Sequence, residues 1–468
     1  MNTSSTKRIQ FQGHLGLEQE KAPQIVTTIE YEWHDPSSLK IELLLSGNED
    51  EQEAASSFLR NRRYNHIWLY SDDDQVPSVE VLGIHRITES GPHISIGAGA
   101  VQVGLTKGPL PQDMKYYIKV ELIPGGILSK AGIRKLRYTG DISFEPIVEG
   151  EIEVSSRFGI LQAEERFDHY ESVEFGNRVI KTVQRAAITG SIDLPKGTHL
   201  FTVNENLGAE IEDIRLMLSF CYRQPVDYYE IHYLPDPKKA RELKLNESLL
   251  RRKRDAPIGK IDQEELINYR NLIDGGLNRL LKSYLNFEHK DQLSRGVRFL
   301  SASYKTPTLE SSYFLSYSAL ESVIGACSAT SPFLLKSTKW ENIGRLLREH
   351  LDQIAAAEGL EEVVGQMKEK LPELRRAPSD RRILEVCHTL NVKIADLWPR
   401  EGFEAGIKKA TKMRNDLFHS ALCENPQDLS DNLIRLRTLT ERILLKALKW
   451  PDDQIWVWYD QNLKWINM

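Results

Sequence analysis

The apolar residues of this chain recur about every second position in its first half, and about every 3.6 positions from near Asp262 onward. An alternating face cannot wrap into a helix, and a 3.6-residue stripe cannot sit as a strand, so the chain must hold two architectures in series. In the first half, alternating or β-rich runs fall at Ile25–Trp33, Leu39–Leu45, His66–Tyr70, Ser78–Ile84, Ile94–Val103, Tyr116–Leu122 and Ile142–Val154, then at Glu171–Thr182, Ala187–Ile192 and His199–Val203. Turn residues separate them, as at Asp35-Pro36, Ser46-Gly47-Asn48 and Pro195-Lys196-Gly197. Many short strands with frequent turns predict an antiparallel sandwich or open barrel, interrupted by short helices near Glu51–Arg62 and Ala209–Tyr222. The glycines of Ile94–Leu105 are followed by no Lys-Ser/Thr pair and no helix start, so they predict a strand bulge rather than a phosphate loop.

The second half predicts helices at Gln263–Phe287, Leu309–Cys327, Lys339–Ala356, Glu361–Lys370, Ser379–Leu390, Gly402–Ala421 and Leu429–Trp450, with Asp262 and Ser379 as capping signals. Between the halves, Lys238–Arg254 carries eight lysines and arginines against two glutamates, a net of +6 in seventeen residues. Such a run is ordinarily a solvated linker or helix face, and its sharper reading is a patch that tracks RNA phosphates. The expected organisation is α+β and multidomain: a β-rich sandwich- or barrel-like domain over 1–237, a basic linker over 238–261, and an all-helical domain over 262–468.

The net charge of the whole chain is -6, which excludes a global positive field, so any contact with RNA must be local. Cys221, Cys327, Cys387 and Cys423 show neither CxxC nor zinc-finger spacing; they are expected to be buried thiols, and no metal site is expected. The first residues, MNTSSTKRIQFQ, lack an apolar signal core, and no run approaches a membrane span, so the expected location is cytoplasmic, away from membrane. The aromatic tail from Trp450 to Trp465 predicts packing more than base stacking. The adjacent Cys387-His388 pair points about 100° apart on a helix and suits no nucleophile–base arrangement.

One segment carries chemistry. In Glu401–Ser420 (EGFEAGIKKATKMRNDLFHS), Phe403, Ile407, Ala410, Leu417 and Ala421 share an apolar stripe, while Lys408, Lys412, Asn415 and His419 share a polar one. Arg414 falls on the apolar side, and a guanidinium cannot shed its charge, so it calls for an anionic partner. Glu321, at the edge of the Tyr313–Tyr317–Leu320–Ile324–Cys327 stripe, is that partner in this reading. The same residue types suit RNA cleavage without metal: the imidazole of His419 can take a proton from a ribose 2′-hydroxyl, Arg414 can stabilise the charge on phosphorus, Asn415 can orient the imidazole, and Lys408 and Lys412 can hold the backbone. Other Arg-to-His spacings occur, at Arg60/His66, Arg345/His350 and Arg382/His388, but only Arg414 is followed directly by Asn and sits late on a long amphipathic helix.

RNDLFH resembles the R-N-x-x-x-H motif of HEPN ribonucleases, and the helix containing SALES resembles the acidic helix beside it; the late motif and the preceding β-rich half resemble ApeA-like abortive-infection proteins of anti-phage defence. The helical match covers roughly the last 200 residues of the chain, about the length expected of one domain. The resemblance implies a HEPN-type helical domain and a catalytic set of Arg414, Asn415 and His419, with Glu321 supporting. It also implies an RNA substrate (tRNA among the candidates), no cofactor, and a homodimer through the helical domain. The β-rich half would then receive a phage-derived or cellular trigger. Two competing readings are a non-catalytic HEPN-like dimerisation or nucleotide-binding module, in which Arg414 and His419 face away from any cleft, and an unrelated α+β binding protein with a chance motif, in which Arg414 is fully buried against Glu321 and His419 is isolated on the surface.

Overall fold

A computed structural model describes residues 6–16, 24–32, 35–45, 49–60, 66–70, 79–90, 92–104, 109–125, 127–128, 152–174, 177–243, 248–252, 254, 265–267, 269–273, 275–328, 333, 335, 337–375, 377–420 and 425–451. Two compact units emerge, Met1–Tyr222 with Val226–Leu281, and Arg223–Pro225 with Lys282–Met468.

The first unit is built on strands β1 (Thr6–Gly16), β2 (Gln24–Glu32), β3 (Lys40–Leu45), β4 (His66–Tyr70), β5 (Val79–Leu82), β6 (Arg86–Ser90) and β7 (His93–Gly97). They continue with β8 (Ala100–Val103), β9 (Met114–Ile123), β10 (Ile152–Ser156), β11 (Gly159–Glu174), β12 (Asn177–Leu194), β13 (Asp227–Pro235) and β14 (Ser248–Arg252). Helices α1 (Glu49–Arg60), α2 (Leu200–Cys221) and α3 (Pro237–Leu243) interrupt them. Among the described residues the strands form one antiparallel ladder in the order β10-β11-β12-β9-β13-β14-β8-β5-β4-β1-β2-β3-β7-β6. The stretch from β8 to β7 returns to within Ala98 and Gly99 of its own starting strand. Its alternate residues (Ile25 and Ile29, Ile41 and Leu43, Val79 and Val81, Ile94 and Ile96, Val101 and Val103) share one core with Leu59 of α1. The sheet therefore rolls round a single core, as a period-two pattern with one buried face requires.

Several expectations are corrected here. Ile94–Val103 is two strands, because Gly99 donates to the Leu82 and Gly83 carbonyls and the chain leaves β3 to join β5. Glu171–Thr182 spans two strands, the arms of a long hairpin. His199–Val203 opens α2 instead of forming a strand, with Leu200, Val203, Leu207 and Ile211 at helical spacing as its buried face. The strands β1, β6, β13 and β14 have no counterpart among the sequence expectations. Only the last residues of Ile142–Val154 lie within the described chain.

The basic run is the largest correction. Pro237–Leu243 is helical, and Ser248–Arg252 is a strand between β13 and β8, deep inside the ladder. Arg251 is fully buried: its Nη2 donates to the carbonyls of Glu32, Asp35 and Ser38, its Nη1 pairs with Glu230, and its guanidinium lies 4.3 Å from the Tyr31 ring. Arg252 sits 4.4 Å over the Tyr228 ring and Arg254 pairs with Asp227 at 3.1 Å. These three arginines are internal cross-links, so the later part of the run is no free phosphate-tracking face, while Lys238 and Arg241 are exposed on α3, as a solvated helix face would be. Lys244 and Lys253 lie outside the described residues.

The second unit packs round α7 (Leu309–Cys327), flanked by α6 (Lys290–Ser303), α10 (Ser379–Thr389), α11 (Phe403–Ser420) and α12 (Pro426–Ala447). Thr308 caps α7 through the Ser311 N–H, and Asn425 caps α12 through Gln427 and Asp428. Ser379 is the first residue of α10 rather than its cap, since Pro378 precedes it and no side chain caps the helix. The single helix expected over Gln263–Phe287 is instead α4 (Tyr269–Ile273) and α5 (Gly276–Leu285), divided where Gly275 takes φ +75, and all of α4 and most of α5 fall in the first unit rather than in the helical domain expected from 262. Asp262 lies outside the described residues. Helices α8 (Ser337–Glu358) and α9 (Glu361–Lys370) lead into a 3-10 turn at Leu371–Arg375. Two buried ion pairs tie this unit: Arg223 holds both Glu441 oxygens at 2.8 and 2.7 Å with the Tyr304 hydroxyl alongside, and Arg442 holds Asp396 at 2.7 Å. Cys327 and Cys387 are free, and burial pushes their thiols up to about 12; Cys221 is also buried and raised, and Cys423 lies outside the described residues. Trp450 is buried, and the rest of the aromatic tail lies outside the described residues. Among the described residues no helix is long and apolar enough to cross a membrane.

Candidate active site

The placement of the motif follows from how α11 is locked. Gly406 meets the Trp398 indole so closely that an added Cβ would stand 2.1 Å from its Cγ, and Trp398 is anchored by its Nε1 donating to Asn432 Oδ1 at 3.0 Å. Ile407 and Ala410 are fully buried. Two tyrosines of α7 then fix the rotation of α11. The Tyr313 hydroxyl donates to the Ala410 carbonyl at 2.9 Å, and Tyr317 bonds the Thr411 hydroxyl at 2.8 Å. With those two contacts set, the next turn of α11 must bring Arg414 against the following turn of α7, where Glu321 stands.

The structure brings that pair together. Arg414 Nη2 lies 3.7 Å from Glu321 Oε2, with the side chains 32% and 44% exposed. Arg414 Nη1 donates to Asn415 Oδ1 at 3.0 Å, and the guanidinium lies 5.6 Å from the Tyr317 ring and 6.0 Å from the Phe418 ring. Arg414 is thus held on four sides yet remains open to solvent, unlike the buried ion pair of the binding-protein reading, whereas the exposed His419 is placed as that reading expects. Tyr317 is held protonated: burial raises its hydroxyl above the usual range, as does Glu321, against the opposing pull of the Thr411 hydrogen bond, Arg414 and Ser379.

His419 is exposed, with its ring edge-on to Phe418 at 5.6 Å, and among the described residues its nitrogens carry no hydrogen bond. Lys408, Lys412, Asn415 and His419 are all exposed, as their shared stripe requires. Lys408 leans toward Asp380 at 3.7 Å. From Lys408 to His419 the helix rises about 16 Å, so the lysines suit the path of a polyanion rather than one phosphate. Arg414 and His419 are about 140° apart round the helix and about 7.5 Å apart along it, so within one copy they look in different directions. Ala421 lies outside the described residues.

The sequence reading missed Phe314 and Phe418. Their rings stack at 6.4 Å and 18°, and they are 38% and 67% exposed. The available signal was Phe418 itself, a large aromatic between Leu417 and His419 at a helical angle the apolar stripe does not reach. No protein-family model, curated protein or solved structure matches the chain.

Proposed function

We propose that the helical unit is a metal-independent endoribonuclease of the HEPN type, acting as a toxin in anti-phage abortive infection, with the β-rich unit as its sensor. The observation that carries the reading is the solvent-open Arg414–Glu321 pair, oriented by Asn415 and Tyr317, one turn before an exposed imidazole. An ion pair this open adds only about 0 to 1 kcal/mol to stability, so what supports the reading is the convergence of Glu321, Asn415 and Tyr317 on one solvent-open guanidinium.

In this proposal neutral His419 removes the proton from a ribose 2′-hydroxyl, whose oxygen attacks the adjacent phosphorus. Arg414 carries the negative charge that builds on the non-bridging oxygens, and the 5′-oxygen leaves with a proton from a second imidazole. The products are a 2′,3′-cyclic phosphate and a 5′-hydroxyl. One copy offers one imidazole on the opposite side of α11 from Arg414, so a second copy is needed to supply the acid, and an isologous homodimer does so. The exposed Phe314–Phe418 stack suits the apolar part of that seam.

The same stack favours one other reading, a HEPN-like docking module with no catalysis, since exposed aromatics anchor interfaces. Cleavage of an RNA oligonucleotide, compared with the same sequence carrying 2′-O-methyl groups throughout, separates the two. The nuclease cuts only the unmodified strand. Equal cutting of both would rule out attack by the 2′-hydroxyl, and binding without cutting of either would favour the docking module.

A further inference from the structure

Phe418 stands between the two groups that the proposed reaction needs. Round α11 it is about 40° from Arg414 and about 100° from His419, and it lies about 6 Å along the helix from Arg414. The guanidinium is 6.0 Å from its ring, and the imidazole meets it edge-on at 5.6 Å. One face of the ring lies toward Phe314, nearly parallel at 18°. Phe418 is nonetheless 67% exposed, so its other face is open to solvent.

A protein surface and a nucleobase both cover exposed aromatic rings, and the surroundings of this ring separate them. A protein interface needs a contiguous apolar core with polar groups at its rim. Among the described residues of α7 and α11, Phe314 and Phe418 are the only large apolar side chains that stand exposed. Their neighbours on the same helix faces are hydrogen-bonding groups, Arg414 and Asn415 on α11 and Ser318 and Glu321 on α7. One open ring inside a polar rim is too small to hold a protein partner by itself, and it is the size of a single base.

We infer that the open face of Phe418 is a stacking platform for one unpaired base of the RNA. The substrate is therefore a single-stranded or loop segment, since a base inside a duplex has both faces covered. The inference rests on the proposed function, which supplies RNA as the ligand of this site. A base on that ring sets its own nucleotide beside the guanidinium, on the same side of α11, and the strand continues along the exposed flank of His419, Lys412 and Lys408. Stacking needs only a π-face, so the platform selects unpaired nucleotides without selecting a sequence. In a two-copy assembly the less exposed ring, Phe314, is left to the seam.

The test uses the full-length chain and short single-stranded 2′-O-methyl oligonucleotides, which offer no 2′-hydroxyl for attack, with one abasic site stepped along the strand. Read by fluorescence anisotropy, an abasic site at one position weakens wild-type binding about tenfold, and Phe418→Ala weakens binding of the intact strand by the same factor. Phe418→Ala loses nothing further on that abasic strand, and Phe418→Trp binds the intact strand at least as tightly as wild type, a pattern that no folding defect imitates. A flat abasic series, or wild-type affinity in Phe418→Ala, would overturn the platform. So would a fall in the mass of the assembly by light scattering on that substitution, which would give the ring to the seam. Binding that follows the expected pattern, with no cleavage of the unmodified strand, would fell the nuclease and keep the platform.

Discussion

Replacing Glu321 by Gln removes the charge beside Arg414 and keeps the volume. The pair is 3.7 Å apart and its side chains are 32% and 44% exposed, so it lies in the range where ion pairs contribute about 0 to 1 kcal/mol. For a unit of this size that is a Tm shift of at most about 4 °C. Catalysis should respond far more, because Glu321 is one of the groups that aim the guanidinium, and small errors in aim cost about 10- to 100-fold in rate. The assay is paired: thermal unfolding by circular dichroism, and single-turnover cleavage of one RNA at saturating protein. Glu321→Gln is expected to unfold within about 4 °C of wild type while its cleavage rate falls by at least about tenfold, with Glu321→Asp recovering part of the loss. A drop of more than about 8 °C, with cleavage falling only in step with the folded fraction, would refute the reasoning and make the pair structural.

Gly406→Ala gains about 1 kcal/mol of helix propensity but drives a methyl into the Trp398 indole, costing about 3 kcal/mol; urea titration should show a net loss that Trp398→Leu partly relieves. Glu441→Leu leaves the buried Arg223 guanidinium without its carboxylate and is expected to lose about 3 to 5 kcal/mol by denaturant unfolding, with near wild-type stability refuting the assignment. Burial raises the Glu230 carboxyl, but His232 and Arg251 outweigh it and hold the group at about 2. A depressed acid stabilises the fold above its unfolded value of about 4.3, and that stability is lost as the pH falls toward about 2; Glu230→Gln should flatten unfolding midpoints across that window, and an unchanged slope would contradict the pairing.

The sequence made some parts of this protein legible and hid others for identifiable reasons. Leu309–Cys327 and Glu361–Lys370 match α7 and α9 end to end, because stripe and boundary signals agree there. Helix α6 has no counterpart among the sequence expectations: Gly296 in its middle reads as a breaker, but a Cβ there would stand 2.5 Å from Val323 Cγ2, so the glycine lets α6 approach α7. The strand β14 was hidden because a net charge reads as solvation, whereas Arg251 is neutralised by Glu230 and three carbonyls from distant segments. At the site, an unmatched charge on each of two apolar faces was enough to suggest the Glu321–Arg414 pairing. The Phe314–Phe418 stack was not legible, because it depends on how the α7 and α11 faces turn against each other.

The central claim is tested most directly by incubating wild type and His419→Ala with total tRNA and with single-stranded RNA in EDTA and reading the product ends. The account predicts that wild type leaves 2′,3′-cyclic phosphate and 5′-hydroxyl ends and that the variant leaves the RNA intact. Wild-type cleavage that vanishes in EDTA, or equal cleavage by His419→Ala, would contradict it.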